Sequence, residues 1–279
     1  GASGGTFDTI APATEQVIAQ CPKGSAADME AAVAAARAAF DRTDWGWMPA
    51  SNRASLLRQL AAKLEQNQDI IAKIESLDMG KHYDDAVGDV GMCVAILSEN
   101  ADLCEELERE NNKPVAGNEL NTGYQRWEPF GVCGAITPWN YPIACVVTKL
   151  APALAVGNTL VIKPSEYTPL SSMLLAKLCD EVGFPAGVVN FVTGLGAEAG
   201  ATLANSPDID MISFTGSIPT GSTIMAAAAK SLTKPLLELG GKSAAVVFDD
   251  VDVDEVVPWL MQVRPTSICS LATHSRIQI

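Results

Sequence analysis

Asn140 stands between two prolines in Thr137-Pro138-Trp139-Asn140-Tyr141-Pro142, and Glu238 opens the run Glu238-Leu239-Gly240-Gly241-Lys242. A side-chain amide beside a reacting carbonyl can hold a developing oxyanion, a contribution on the order of 3–4 kcal/mol. A carboxylate after an apolar strand suits general-base work once burial raises its pKa. The plainer alternatives are a turn residue for Asn140 and a helix cap or a partner of Lys242 for Glu238. Lys163 and Glu166 straddle Pro164, so a cation and a carboxylate could grip ribose hydroxyls, or form only a surface ion pair worth ~0–1 kcal/mol. Thr215-Gly216-Ser217 runs into a helix start at Pro219, where backbone N–H groups, the dipole and a hydroxyl suit a pyrophosphate; a plain N-cap has the same residues. Gly194-Leu195-Gly196-Ala197-Glu198-Ala199 fits the G-x-G-x-x-[GA] pattern of a dinucleotide fingerprint. No acidic residue ends the following strand, so a tight turn accounts for these glycines equally well.

Each cluster follows an apolar run with the character of a strand. Strands are predicted at VCGAIT (132–137), TLVIK (159–163), VVNFV (188–192), MISF (211–214) and PLLEL (235–239). Ser171–Val182 carries a helical apolar stripe stopped by Gly183, and Pro219–Lys230 begins with Pro in the favoured first turn. Short apolar strands alternating with helices predict an α/β fold, a doubly wound parallel sheet covered on both faces. Ligands bind such sheets in the crevice at the C-terminal strand ends, which is where four of these clusters fall. Upstream, 7–23 reads as a hairpin around Ala-Pro-Ala-Thr, and Ser25 caps an Ala-rich helix to Asp41 with Asp28 and Glu30 in its first turn. A second helix is predicted from Ser51 to about Asp78, closed by Gly80, and a third from Asp84 to Glu108. These helices have apolar stripes in need of a surface to cover.

Composition narrows the function classes. The 279 residues, 48% hydrophobic and 19% charged, fit one large globular domain or two ordinary ones. Thirty-three acidic against nineteen basic residues, a formal charge of −14, argue against nucleic acid and anionic membrane surfaces as partners. Seven cysteines, at 21, 93, 104, 133, 145, 179 and 269, with no C-x-x-C, read as free thiols of a reducing compartment, cytoplasmic or an organelle lumen. His82 and His274 alone offer little to a zinc ion, and no metal is expected. No apolar run reaches the roughly 18 residues that span a bilayer. The Gly-Ala-Ser-Gly-Gly start shows no targeting signal and no initiating Met, and the natural N-terminus is expected to lie upstream.

Together and in this order, ITPWNYP, VIKPSE, ISFTGS and LELGGK closely resemble the aldehyde dehydrogenase superfamily, from about Phe7 to about Leu260. The Tyr of PWNYP, LDMGK near residue 80 and VVFDDVDVDEVV are most similar to betaine and aminoaldehyde dehydrogenases. The resemblance implies NAD-dependent oxidation of an aldehyde to the acid: a cysteine thiolate attacks, hydride leaves for the nicotinamide, and a glutamate-activated water releases the product. Carried over by motif, Asn140 is the oxyanion donor, Glu238 the base, and Trp139 lines the site beside the nicotinamide. Lys163 and Glu166 hold the adenosine ribose, Gly216 and Ser217 the pyrophosphate, and Gly196 becomes a contact near the adenine. Glu166 on the ribose repels the extra phosphate of NADP, so NAD is the expected cofactor.

The nucleophile is where this sequence departs from the family. Ile268-Cys269-Ser270 keeps the local triplet around the catalytic cysteine, but the Gly-Gln before it is absent, the spacing from Glu238 is shorter, and Arg264-Pro265 would break the delivering helix. The other six cysteines read as small buried apolar residues. The resemblance further implies three regions: a hairpin over 1–24, a nucleotide-binding domain with covering helices over 25–239, and the start of a catalytic domain over 240–279 whose later half is absent. Homo-oligomerisation, usual in the family, is doubtful for such a chain. Two other functions remain open, a nucleotide-binding fragment without turnover and an unrelated doubly wound nucleotide protein.

Overall fold

The computed structural model describes residues 4–111, 113–118, 120–241, 244–263 and 276–278. Strands β1 (Thr6–Ala11) and β2 (Gln16–Pro22) form the expected antiparallel hairpin. Ser25 caps α1 (Ala26–Arg42): its Oγ accepts the Asp28 N–H, and the Asp28 carboxylate accepts the Ser25 N–H in return. The single helix predicted over 51–78 is two, α2 (Ala50–Gln66) and α3 (Gln68–Met79), broken at Asn67. The Asn67 side-chain amide donates to the Lys63 carbonyl at 2.8 Å, competing with the regular ladder as short amide side chains do. Gly80, at φ +85°, ends α3 in the left-handed conformation that a residue without Cβ adopts freely. Helix α4 (Tyr83–Glu110) matches its predicted span closely.

After α4 comes a feature that the sequence pattern did not predict, an antiparallel hairpin of β3 (Pro114–Asn118) and β4 (Asn121–Tyr124). Pro114, Gly117 and Gly123 have poor strand propensity, so nothing local announces it. The strand–helix alternation then runs β5 (Val132–Ile136), α5 (Pro142–Ala155), β6 (Thr159–Lys163), α6 (Leu170–Val182), β7 (Val189–Phe191), a wide turn at Gly196–Gly200, α7 (Ala201–Asn205), β8 (Met211–Gly216), α8 (Ile218–Ser231) and β9 (Lys234–Leu239). All five strands pair in parallel, in the order β7-β6-β5-β8-β9. The chain winds outward from β5 to β7, then crosses back to β8 and β9. Winding therefore reverses between β5 and β8, the position where open α/β sheets hold their ligands. Beyond the sheet, β10 (Ala244–Val246) pairs in parallel with β11 (Arg276–Gln278), and α9 spans Val253–Val263.

The N-terminal helices divide between the two faces of the sheet. Leu57, Leu60 and Leu64 of α2, Val90 and Leu97 of α4, and Leu150 and Leu154 of α5 pack with Cys133, Ala135, Leu160 and Ile162 on one face. Met29, Val33 and Ala36 of α1, Leu203 of α7 and Ile224 of α8 pack with Val132, Ile136, Val161, Ile212 and Phe214 on the other. Strands β5 and β6 are buried at every residue, because helices cover both sides, and each fully buried Leu or Ile contributes roughly 1.5–3 kcal/mol. β9 is the opposite case, an edge strand exposed over most of its length. Among the described residues no helix is long and apolar enough to cross a membrane.

Candidate active site

The C-terminal ends of β5, β6, β8 and β9 lie along one edge of the sheet, and register places their polar residues side by side. Ile136 pairs with both Lys163 and Phe214, Phe214 with Leu237, and Thr215 with Glu238. Asn140 follows β5 and Glu238 is the last residue but one of β9, with β8 between them, so their strands stand two spacings apart, about 10 Å. Trp139 and Asn140 are half-buried in the bend before α5, while Tyr141 is exposed on one side.

Lys163 and Glu166 from one motif and Gly196 from another form one bonded unit. The Lys163 ammonium, on a side chain only 2% exposed, lies 2.5 Å from Glu166 Oε2, and Glu166 Oε1 accepts the Gly196 N–H at 3.0 Å. Burial pushes the Glu166 carboxyl up, but the Lys163 ammonium together with backbone N–H groups outweighs it and holds the group below its usual range. A Cβ on Gly196 would stand 3.5 Å from Glu166 Oε1 and 4.0 Å from Lys163 Nζ, in ordinary contact with the pair, so the 196 position borders it directly. The pairing is therefore more than the surface contact that sequence alone allowed. It also fixes the fate of the G-x-G segment: the Gly196 N–H is taken by a carboxylate, and Gly194, at φ +157°, allows the close approach of the Gly24 carbonyl.

Next to this unit, a cavity of about 480 Å³ opens between α7 and α8, lined by Ile136, Gly196, Ala201, Ala204, Thr223 and Ile224 among others. Its walls are mostly apolar and its shape is a slot between two helices, suited to a flat aromatic base. Gly196 joins it to the Lys163–Glu166 pair, and Pro219 and Thr220 join it to the start of α8. Ser217 is the N-cap of α8, accepting the Thr220 N–H at 3.4 Å. Gly216 ends β8 with the Phe214 ring folded beneath it; a Cβ there would meet that ring at 2.5 Å. The Gly240 N–H donates to the Gly216 carbonyl at 2.9 Å, tying the segment after Glu238 to the start of the pyrophosphate candidate.

Glu238 differs from expectation in its surroundings. Base chemistry there asks that burial raise its pKa, whereas it is exposed on edge strand β9. Helix α8 packs against the strand at Leu237 and Leu239 but leaves the Glu238 side chain in solvent. Cys269 and Lys242 lie outside the described residues.

Sequence reasoning missed the slot, because its lining residues are small or apolar and come from helices some 20 residues apart. It also missed Lys149 on α5, which donates to Ser213 Oγ at 2.8 Å. Burial lowers the Lys149 pKa, opposed by Cys145 and by Glu238, whose charge reaches it across β8. A single cation in the apolar run IACVVTKLAPALA was the available signal. Glu75 of α3 was missed as well; it is fully buried and accepts the Ile143 N–H at 3.2 Å.

A family model described as the aldehyde dehydrogenase family matches residues 1–266. Among curated relatives, betaine aldehyde dehydrogenase 1 of Oryza sativa subsp. japonica is 45% identical over 262 residues, covering 92% of this chain and 52% of that protein. Peroxisomal aminoaldehyde dehydrogenase 2 of Malus domestica is 48% identical over 255 residues, covering 90% and 50%. Betaine aldehyde dehydrogenase of Staphylococcus aureus, solved in complex with NAD+, superposes with a TM-score of 0.89 at 36% identity, covering 92% of this chain and 51% of that one. An aldehyde dehydrogenase variant from Bacillus cereus gives a TM-score of 0.93 at 39% identity, covering 99% and 56%. The chain spans about half the length of the curated relatives it matches.

Proposed function

The chain belongs to the aldehyde dehydrogenase family, and from that premise we propose that it binds NAD at the C-terminal edge of its sheet and serves the oxidation of betaine aldehyde or an aminoaldehyde. The observation that carries the reading is the bonded unit Lys163–Glu166–Gly196 at the mouth of the α7–α8 slot. An adenine fits between the helices, and ribose hydroxyls meet the cation and carboxylate. The diphosphate then lies toward Gly216, Ser217 and the N-terminus of α8, where the helix dipole favours negative charge. Glu166 repels a 2′-phosphate, which favours NAD over NADP.

The cofactor supplies the hydride acceptor; the rest is asked of the chain's own residues. Trp139 borders the nicotinamide end. The Asn140 amide donates to the aldehyde oxygen as charge develops on it. Cys269, matched by its Ile-Cys-Ser context, is the thiolate that adds to the carbonyl carbon, and Glu238 takes a proton from the water that hydrolyses the thioester. By the same resemblance, 1–24, 25–239 and 240–279 are the hairpin, the nucleotide-binding domain and the beginning of the catalytic domain.

A second reading, nucleotide binding without turnover, is favoured by one specific observation: Glu238 is exposed, where a tuned base needs cover. NADH formation with betaine aldehyde separates the two. Turnover supports the dehydrogenase, and NAD binding without NADH selects the second reading. In a form that turns over, Glu238→Gln is expected to slow acyl-enzyme hydrolysis by about 100-fold or more, the scale of general-base catalysis, while NAD affinity is kept. A hydrolysis rate equal to wild type removes the base assignment.

A further inference from the structure

Two buried charges reach the turn that carries Asn140 from below, on either side of Pro142. Glu75 is 1% exposed, and its Oε1 accepts the Ile143 N–H, placing a carboxylate at the first turn of α5. Lys81, 4% exposed and held by an ion pair with Asp89 of α4, lies 4.4 Å from the centroid of the Tyr141 ring. The same ammonium stands 3.9 Å from Glu75 Oε2, an oxygen with no hydrogen-bond partner. Pro142, between the two contacts, has a fixed φ and no N–H to give. Tyr141 caps α5 through its carbonyl, which accepts the Cys145 N–H at 2.9 Å, but no side chain of the turn bonds the helix start. Burying a carboxylate and an ammonium is costly, and an apolar pair of the same size would serve packing as well or better. What the charged pair adds is direction: one contact on the backbone after Pro142 and one on the ring before it.

We propose that Glu75 and Lys81 are positioning residues that fix the 139–143 turn and so set where the Asn140 amide points. The consequence for chemistry rests on Asn140 being the oxyanion donor; the clamp itself does not.

Burial pushes the Glu75 carboxyl up to about 7, while Ser171, Lys81 and the Ile143 N–H draw it down. The titratable groups that face it are Lys81 from the turn after α3, Asp89 and Cys93 from α4, and Cys145 from α5, with the Ser171 hydroxyl from α6. Near pH 7 the clamp therefore changes its charge, which makes it visible.

The test is NMR on the whole chain, following the Asn140 side-chain amide signal against pH and the exchange rate of the Ile143 amide. In the wild type the Asn140 signal is expected to move with a midpoint near 7. Glu75→Gln keeps an acceptor for Ile143 but cannot titrate, so the inflection should vanish while Ile143 exchange stays near wild type. Glu75→Leu removes the acceptor, and Ile143 exchange should rise about tenfold, the equivalent of one lost hydrogen bond, with Val161 of β6 unchanged. NAD affinity should hold in both. A surviving inflection in Glu75→Gln overturns the proposal, even if Glu75→Leu does not fold. So does an unmoved Asn140 signal in a folded Glu75→Leu. Loss of activity in Asn140→Ala bears on the oxyanion role alone, and an inactive chain whose Asn140 still follows Glu75 leaves the clamp standing.

Discussion

Asn140→Ala is expected to lower kcat for betaine aldehyde by about 100- to 1000-fold, the cost of one oxyanion donor, with little change in KM. The split follows from when the contact matters. A ground-state aldehyde oxygen carries little charge, so the amide binds it weakly; once the thiolate adds, the same N–H faces an alkoxide, and the bond strengthens with the barrier. The fold gives reason to expect a clean result. Asn140 is half-buried in a bend outside the sheet, and its loss opens no core cavity. A change confined to KM would instead make Asn140 a substrate contact or a turn residue.

Lys163→Met should show two effects at once. The ammonium is 2% exposed and paired at 2.5 Å with a carboxylate that is itself 28% exposed. Breaking a buried pair by removing one partner costs about 3–5 kcal/mol, and the water that reaches Glu166 places this case near the low end, about 3 kcal/mol. Chemical denaturation checks that figure. Separately, NAD affinity should fall by about 10- to 100-fold, the equivalent of one hydrogen bond from a charged donor. Destabilisation with unchanged NAD affinity would reduce the pair to a structural element and move the ribose elsewhere.

The doubly wound sheet was legible because strand period and strand-end residues speak together. TLVIK at 159–163 is a strand at the residues predicted, and β8 and β9 differ only at their ends, β8 running on through Thr215-Gly216 before Ser217 caps α8. Lys163 and Glu166 were legible as a pair but not as a buried one, since burial is set by α1, β7 and the 196–200 turn rather than by neighbours in sequence. Two features left no local trace. Asn67 splits α2 from α3 through a side-chain bond that an apolar stripe cannot reveal. Glu75 lies on the same buried stripe of α3 as Ile71, Ala72 and Met79, and nothing local shows that the Ile143 N–H of α5 docks on it. Glu238 shows the reverse limit: its motif is specific, yet its exposure depends on what covers β9 and is invisible in the motif.

If NAD occupies the slot between α7 and α8, calorimetric titration of the chain with NAD will separate wild type from Thr223→Trp. Thr223 is exposed and lines the slot, so an indole there fills the space without disturbing the core. Wild type should bind at a single saturable site. The variant, with unchanged circular dichroism, should bind about 10- to 100-fold more weakly, as losing a stacked base implies. No saturable binding in the wild type, or equal affinity in both, would mean that NAD does not sit between α7 and α8.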